Sequence, residues 1–400
     1  MTASDARRAP NQRKRAMRFI VCLGIVSMFA DITYEGARSV LGPFLNNLGA
    51  SATQVGIIAG IGEMLAASLR FFSGRFADRT RSYWAITICG YGVNLIAVPA
   101  LAFAGNWWMA ALLVALERTG KSIRGPARDV LLSEATAVVG HGWGFGLHAA
   151  LDQTGAVIGP LVVAITVAKS HAFGPAFLGL ALPAAAALGS LLLARAWFPA
   201  QGDAAPQQVE QTDFPKVFWM YVASAGLLAC GFVDFALLSY HFQKTQLFQS
   251  TSFGGMATIP LLYSGAMAVN AITAPLFGRL FDRFGIGVLS IGTLISMLSL
   301  PLGFLGGPIA AAAGVACWAT GIGAQDATLR SGIARVVSMN KRGSAFGAFN
   351  GVFGILWFVG SAVMGFLYDR SLIALIAFGL AFQLTAAGSF FWLRTRLQAA

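Results

Sequence analysis

Charge is what this sequence has least of. Only 11% of its 400 residues are Asp, Glu, Lys or Arg, less than half of the about 25% usual in soluble domains. So few charges cannot cover a water-facing surface, which excludes soluble single-domain folds, coiled coils and disordered chains. Cysteine is scarce too. Cys22, Cys89, Cys230 and Cys317 all lie in apolar runs and form no C-x-x-C pair, which argues against a disulfide framework and a zinc site. A phosphate-cradling glycine loop, a zinc-protease helix and a Gly-x-Ser-x-Gly turn are also missing. Neither an enzyme nor an ATP-driven pump is indicated, and no cofactor or metal is expected.

Apolar residues are abundant: 56% of the chain is hydrophobic and the mean hydropathy is +0.69. At about 20 apolar residues per membrane crossing, twelve crossings use roughly 240 residues and leave about 160 for ends and loops. Apolar segments fall at 17–46, 52–76, 82–104, 107–128, 142–168, 173–197, 217–243, 254–280, 285–305, 308–330, 343–367 and 371–393, numbered here as spans 1 to 12. Arg7 to Arg18 is a basic stretch that runs into span 1 without a cleavage site, so span 1 is expected to stay in the membrane. Most separators are too short to fold alone; the exception is the polar linker 199–215, which divides the spans six and six. The expected fold is an all-α polytopic membrane protein of twelve transmembrane helices in two six-helix bundles, 1–198 and 216–400.

The base excess, a net charge of +12 and a pI near 10.1, has an orientation reading. Arg7, Arg8, Arg13, Lys14, Arg15 and Arg18 lie before or at the start of span 1; Arg75, Arg79 and Arg81 join spans 2 and 3; Arg279 and Arg283, Lys341 and Arg342, and Arg394 and Arg396 mark further connections on the same side. The other side holds only Lys169, Lys244 and Arg370. The basic side is expected to be cytoplasmic, with both termini there and the chain multi-pass in the cell's inner membrane. No nucleic-acid partner is implied.

The halves repeat each other at an offset of about 201 to 204 residues. Phe29-Ala30-Asp31 parallels Phe232-Val233-Asp234, Gly74 to Arg79 (GRFADR) parallels Gly278 to Arg283 (GRLFDR), and Gly142 to Gly146 (GWGFG) parallels Gly343 to Gly347 (GSAFG). Parallel repeats of this kind belong to transporters that bind substrate between the repeats.

The stretches GRFADRTRS at 74–82 and GRLFDRFG at 278–285 resemble the loop motif G-x-x-x-D-R-x-G-R-R of the major facilitator superfamily. The first copy departs from it by placing Arg81 where the motif often has Gly. Arg118 to Asp129 (RTGKSIRGPARD) is similar to a span 4 stretch of some bacterial members, and Gly155 to Pro160 (GAVIGP) looks like part of the antiporter motif of span 5. The resemblance implies a cavity lined by spans 1, 4, 7 and 10. In the loop motif itself, Gly74, Asp78, Arg79, Gly278, Asp282 and Arg283 sit at helix ends, where a carboxylate accepts from a neighbouring helix N-terminus or arginine. A latch that holds the halves together on the inner face is expected there; the alternative is arginines that only enforce orientation.

Charges inside spans cost at least about 2.5 to 3.5 kcal/mol at a helix centre and face partners or a wet cavity. Glu63 and Arg118 fall near the midplane, Asp31 slightly outward and Asp152 slightly inward. Asp31 and Glu35 share one face of span 1 at i,i+4 spacing, with Arg38 continuing it. Glu35 pairing with Arg38 as a structural ion pair is the plainer alternative. Span 4 carries Glu117, Arg118, Lys121 and Arg124, of which the last two also suit snorkelling to the headgroups. Proton coupling is expected at Asp31, with Arg118 as its switchable partner and Glu35 as second choice, because proton affinity changes when an arginine or water moves beside a carboxylate. Tyr34, Glu63, Lys121, Asp152, Asp234, Asn270 and Asn350 are the expected cavity residues. Asp326 and Arg330 read as a gate or packing pair, and Gly142/Gly146, Gly155/Gly159 and Gly343/Gly347 as helix-packing positions.

The function expected from these residues is secondary transport by alternating access, with proton-coupled efflux of a small organic molecule ahead of a proton-linked importer or facilitator. A membrane scaffold or receptor is the remote alternative. The expected partners are substrate, protons and lipid, and a monomer is expected. With Asp31, Glu35, Glu63, Asp152 and Asp234 against Arg118 and Lys121, an ionised cavity leans negative.

Overall fold

The computed structural model describes residues 3–198, 214–251, 254–337 and 342–399. The linker 199–215 therefore lies largely outside the described residues, as does Lys341. Among the described residues the chain is helical throughout, without strands. In chain order the helices are α1 (Ala3–Arg38), α2 (Leu41–Asn47), α3 (Ala52–Thr80), α4 (Tyr83–Ala100), α5 (Trp107–Val139), α6 (His141–Ser170), α7 (Phe173–Gly179), α8 (Ala181–Trp197), α9 (Lys216–Gly231), α10 (Phe235–Lys244), α11 (Gly255–Phe284), α12 (Val288–Ser296), α13 (Ser299–Leu305), α14 (Pro308–Val336), α15 (Arg342–Arg370) and α16 (Leu372–Ala399). Spans 1, 6, 7 and 9 are each broken into two helices, and the other spans each hold one long helix. Nine stretches of described residues are long and apolar enough to cross a membrane, the one at Gly255–Leu305 holding several helices in succession. The charged α5 is not among them. Large apolar side chains such as Leu182, 79% exposed, and Ile309, 88% exposed, face outward, as a lipid-facing surface requires.

Helix ends are set by local chemistry. Ser51 caps α3 in a reciprocal box with Gln54, and Asn106 caps α5 by accepting from the Met109 amide at 2.9 Å. Arg81 ends α3 at φ 52°, in the left-handed region, and its repeat counterpart Gly285 ends α11 at φ 69°. Both copies end their helix at positive φ, but ψ is 15° at Arg81 and -153° at Gly285, so the departure at Arg81 goes with a different turn.

Apolar helices gain little from one another in lipid, so small residues that let backbones touch decide which pairs form. A Cβ on Gly155 or Gly159 of α6 would run into the backbone of α1 at Met28 and Ile32, which fits the packing reading of that pair. Gly142 and Gly146 meet nothing within 4 Å, so the packing expected of them is absent. Gly56 and Gly60 of α3 lie against Ser361 and Phe358 of α15, bringing first-half and second-half helices into contact. Gln153 of α6 donates to the Met267 carbonyl of α11 at 3.0 Å, and Ser264 of α11 donates to that of Val157 at 2.8 Å.

One end of the molecule is sealed. There Gly42 of α2 lies against Ala236 and Ser239 of α10, and Tyr240 donates to the Ala50 carbonyl at 3.2 Å. Asp369, near the C-terminal end of α15, accepts from the amides of Ala52 and Thr53 at 3.2 and 2.8 Å and from the Thr53 hydroxyl at 2.7 Å. A second-half carboxylate thereby caps a first-half helix. The opposite end carries the two loop motifs, with Asp78, Arg79, Asp282 and Arg283 exposed.

Candidate functional site: a charged cavity between the halves

A cavity of about 620 Å³ lies between the halves, lined from α1, α3, α5, α6, α11, α14 and α15. Spans 1, 4 and 10 line it as expected, but span 7 does not. The backbone of span 7 opens at Phe232-Val233-Asp234 between α9 and α10. The Asp234 carboxylate turns to α15, accepting from Trp357 Nε1 at 3.1 and 3.2 Å and from the Ser361 hydroxyl. Asp234 is therefore a buried, satisfied structural acid, and its assignment to the cavity is corrected.

Five carboxylates line the space, Asp31, Glu35, Glu63, Asp152 and Asp326, against five bases, Arg38, Arg70, Arg118, Lys121 and Arg330. The negative lean expected from the sequence is replaced by balance, because Asp234 leaves the set and Asp326, Arg38, Arg70 and Arg330 join it. Glu63 is the hub of one network, 2.7 Å from Arg38 and 3.5 Å from Arg118. Arg118 also lies 3.3 Å from Glu117, which Asn94 of α4 holds by donating to its carboxylate at 2.8 Å and its carbonyl at 3.0 Å. The expected Asp31–Arg118 pairing is not formed: two glutamates occupy Arg118.

Glu35 accepts from Tyr263 of α11 at 2.5 Å and lies 3.8 Å from Arg38 and 3.9 Å from Lys121. Its pairing with Arg38 is present but loose, since Arg38 sits closer to Glu63. Lys121 stands 3.7 Å over the Tyr34 ring, and Arg124 stands 4.0 Å over that of Tyr91. Both cations are engaged inside the protein rather than snorkelling.

Asp31 has other neighbours: Asp152 of α6, Lys121, Tyr34 and Arg124. Among the described residues, Oδ1 of Asp31 and Oδ1 of Asp152 are buried without a hydrogen-bond partner. Asp31 and Asp152 lining one cavity from neighbouring helices is a relationship that sequence alone does not give, since it assigns the two residues separate roles. Asn270 donates to Asp326 across α11 and α14 at 3.5 Å. Asn350 lines the cavity, and Asp326 and Arg330 form no ion pair within 4.0 Å. Arg70, Tyr263 and Gln325 also line it and were not foreseen; Arg70 was legible, being a charge inside the apolar segment 52–76.

The latch residues do not bridge the halves here. Asp78 is exposed and its hydrogen bond comes from Tyr83 at 3.4 Å, within the first half. Asp282 offers its carbonyl to Arg335 at 3.3 Å, within the second. Gly74 lies beside Pro126, and Gly278 beside Ala327, at ordinary contact distance.

A two-half helical assembly around a charged cavity accords with the model of the Major Facilitator Superfamily, which matches residues 23–361. The chain belongs to that superfamily. It is a multi-pass membrane protein of a transporter family. An uncharacterised protein of Mycobacterium tuberculosis is 38% identical over 388 residues, covering 95% of this chain and 93% of that protein. The multidrug resistance protein MdtH of Yersinia enterocolitica is 29% identical over 143 residues, which is 36% of this chain and 33% of MdtH. Among solved structures, the nucleoside transporter NupG superposes with a TM-score of 0.68 at 16% identity, covering 95% of this chain and 98% of that one. That likeness speaks for the fold.

Proposed function

We propose that this superfamily member is a secondary active transporter that exports a small organic molecule in exchange for protons. It works by alternating access between two six-helix bundles, 1–198 and 216–400, with the linker 199–215 and both termini in the cytoplasm. In this reading the loop-motif end is the cytoplasmic end, and the sealed α2–α10 end faces outward. The conformation described above is then the inward-facing state. The observation that carries the proposal is the Asp31–Asp152 pair, two acids on neighbouring helices that each present a buried, unpartnered oxygen beside a cavity. Each of the two acids keeps an oxygen without a hydrogen-bond donor, and a proton on one of them supplies it. Export is favoured over uptake by the partial antiporter motif at Gly155 to Pro160 and by the likeness of part of the chain to MdtH.

Reconstituted proteoliposomes with an imposed pH gradient test this. Substrate candidates taken from a thermal-shift screen are expected to move against their gradient, opposite to the proton flow. Movement in the same direction as the protons would make the protein an importer, and movement indifferent to the gradient would make it a facilitator.

A further inference from the structure

Most charges in the cavity answer one another: Arg38 and Arg118 share Glu63, and Lys121 lies by Glu35. Two arginines do not. Among the described residues neither Arg70 of α3 nor Arg330 of α14 has a carboxylate within 4.0 Å, although both line the cavity. They come from opposite halves, and Arg330 is exposed. Two guanidinium groups that line one space, neither with a carboxylate in contact, keep donors free to hold an anion bidentately.

Three further features fit a ligand there. Arg70 packs over α5, its Nε 3.7 Å and its Nη2 3.9 Å from where a Cβ on Gly125 would stand, and it lines the space. Gln325, 7% exposed, lines the same cavity with an Nε2 that has no partner. In the same cavity α15 presents aromatic rings: Phe349 stacks on Phe353 at 5.4 Å and Phe353 meets Trp357 at 5.5 Å. Asp326, one turn from Arg330, accepts from Asn270 at 3.5 Å and forms no ion pair with either arginine.

We infer that the transported substrate is an organic anion with an apolar body, its carboxylate or phosphate held between Arg70 and Arg330 with Gln325 as a third donor, and its body against Phe349, Phe353 and Trp357. The site joins the halves only when the cavity is closed around the anion from both sides, since each half supplies one arginine. This deepens the transport reading and rests on the cavity being the substrate site.

Binding to purified protein, measured by calorimetry without any gradient, tests the anion site apart from coupling. The probes are benzoate and phenyl phosphate, with benzyl alcohol and benzylamine as neutral and cationic counterparts of similar size. The anions are expected to bind and the counterparts not. Arg70→Gln and Arg330→Gln should each weaken benzoate binding about tenfold or more, the loss of one charge-assisted contact, and Asp326→Asn should strengthen it. Equal binding of benzylamine would overturn the inference, as would unchanged affinity in both arginine variants. Absence of heat from either anion, with the protein folded by circular dichroism, would overturn it too. Displacement of benzoate by phosphatidylglycerol, but not by phenyl phosphate, would assign the arginines to a lipid headgroup instead. Benzoate binding with no gradient-driven flux would remove the coupling reading and leave the anion site standing.

Discussion

Tyr263 of α11 donates to Glu35 of α1 at 2.5 Å, a bond between the halves at the closed side of the cavity. A hydrogen bond to a charged acceptor contributes about 1.5–3 kcal/mol, so this bond biases the molecule toward the state described here. Opening the sealed α2–α10 end has to break it.

Tyr263→Phe is therefore expected to shift the population toward the outward-open state by about tenfold or more while leaving the fold intact, because Glu35 keeps Lys121 and Arg38 beside it. A cysteine placed at Ser239, a near-isosteric change at a fully buried position of the sealed end, should become more reactive to a membrane-impermeant reagent in that variant. Unchanged reactivity would mean that the Tyr263 bond does not resist opening.

The orientation rests on arginine placement and has its own check. Cysteines at Ser82 and Ser344 should be labelled from the cytoplasmic side and one at Asn106 from outside. Labelling of Ser82 and Asn106 from the same side would refute the twelve-crossing arrangement.

Asp78 is exposed and makes no bond to the second half in this state. If the loop motif latches the halves in the outward-facing state, Asp78→Asn removes contacts that this state lacks. Cysteines at the inner cavity should then alkylate faster, with the unfolding temperature unchanged. Equal rates would leave the motif an orientation signal.

How much of this was legible in the sequence differs residue by residue. The apolar segments could be read because hydropathy is local, and so could the departure at Arg81, where the chain turns differently from Gly285. So could the packing of Gly155 and Gly159, whose spacing on a helix is local as well. The identical spacing at Gly142 and Gly146 shows the limit: a small-residue stripe says that close approach is possible, not which helix comes. Charge pairing is likewise a three-dimensional matter. Arg118 was read against Asp31 by depth alone, but α3 brings Glu63 to it, and sequence position does not order two acids of similar depth on different helices. The repeat misled at Asp234. Its counterpart Asp31 faces the cavity, whereas the break between α9 and α10 turns Asp234 to Trp357 and Ser361.

Helix contact through glycine makes a stability prediction. Gly159→Leu forces side-chain volume into the backbone of Ile32 and is expected to destabilise the protein by about 1–3 kcal/mol or more, the usual cost of overpacking. Gly146→Leu, at a position with nothing within 4 Å, should be tolerated. Thermal unfolding in detergent reads both. Equal loss in the two variants would show that α1–α6 contact is not what the glycine protects.

The coupling site makes the last prediction, and the facing acids sharpen it beyond a single residue. Glu35, the second choice from sequence, is committed to Tyr263, Lys121 and Arg38, so it carries structure as well as charge. Asp31 and Asp152 have oxygens to spare, and they sit on α1 and α6, which pack through Gly155 and Gly159 and so move together. If the halves alternate as proposed, water reaches the pair from the open cavity in one state and is excluded in the other. A difference in proton affinity between two states is what coupling requires. Asp31→Asn and Asp152→Asn should each abolish flux driven by a pH gradient while leaving substrate binding measurable. Arg118→Ala, by contrast, should act through Glu63 and Glu117, weakening the first-half network without itself removing the proton site. Gradient-driven flux that survives in the Asp31→Asn/Asp152→Asn double variant would move the proton to Glu35 or Glu63. Loss of binding together with flux in each single variant would make these acids substrate ligands rather than proton carriers.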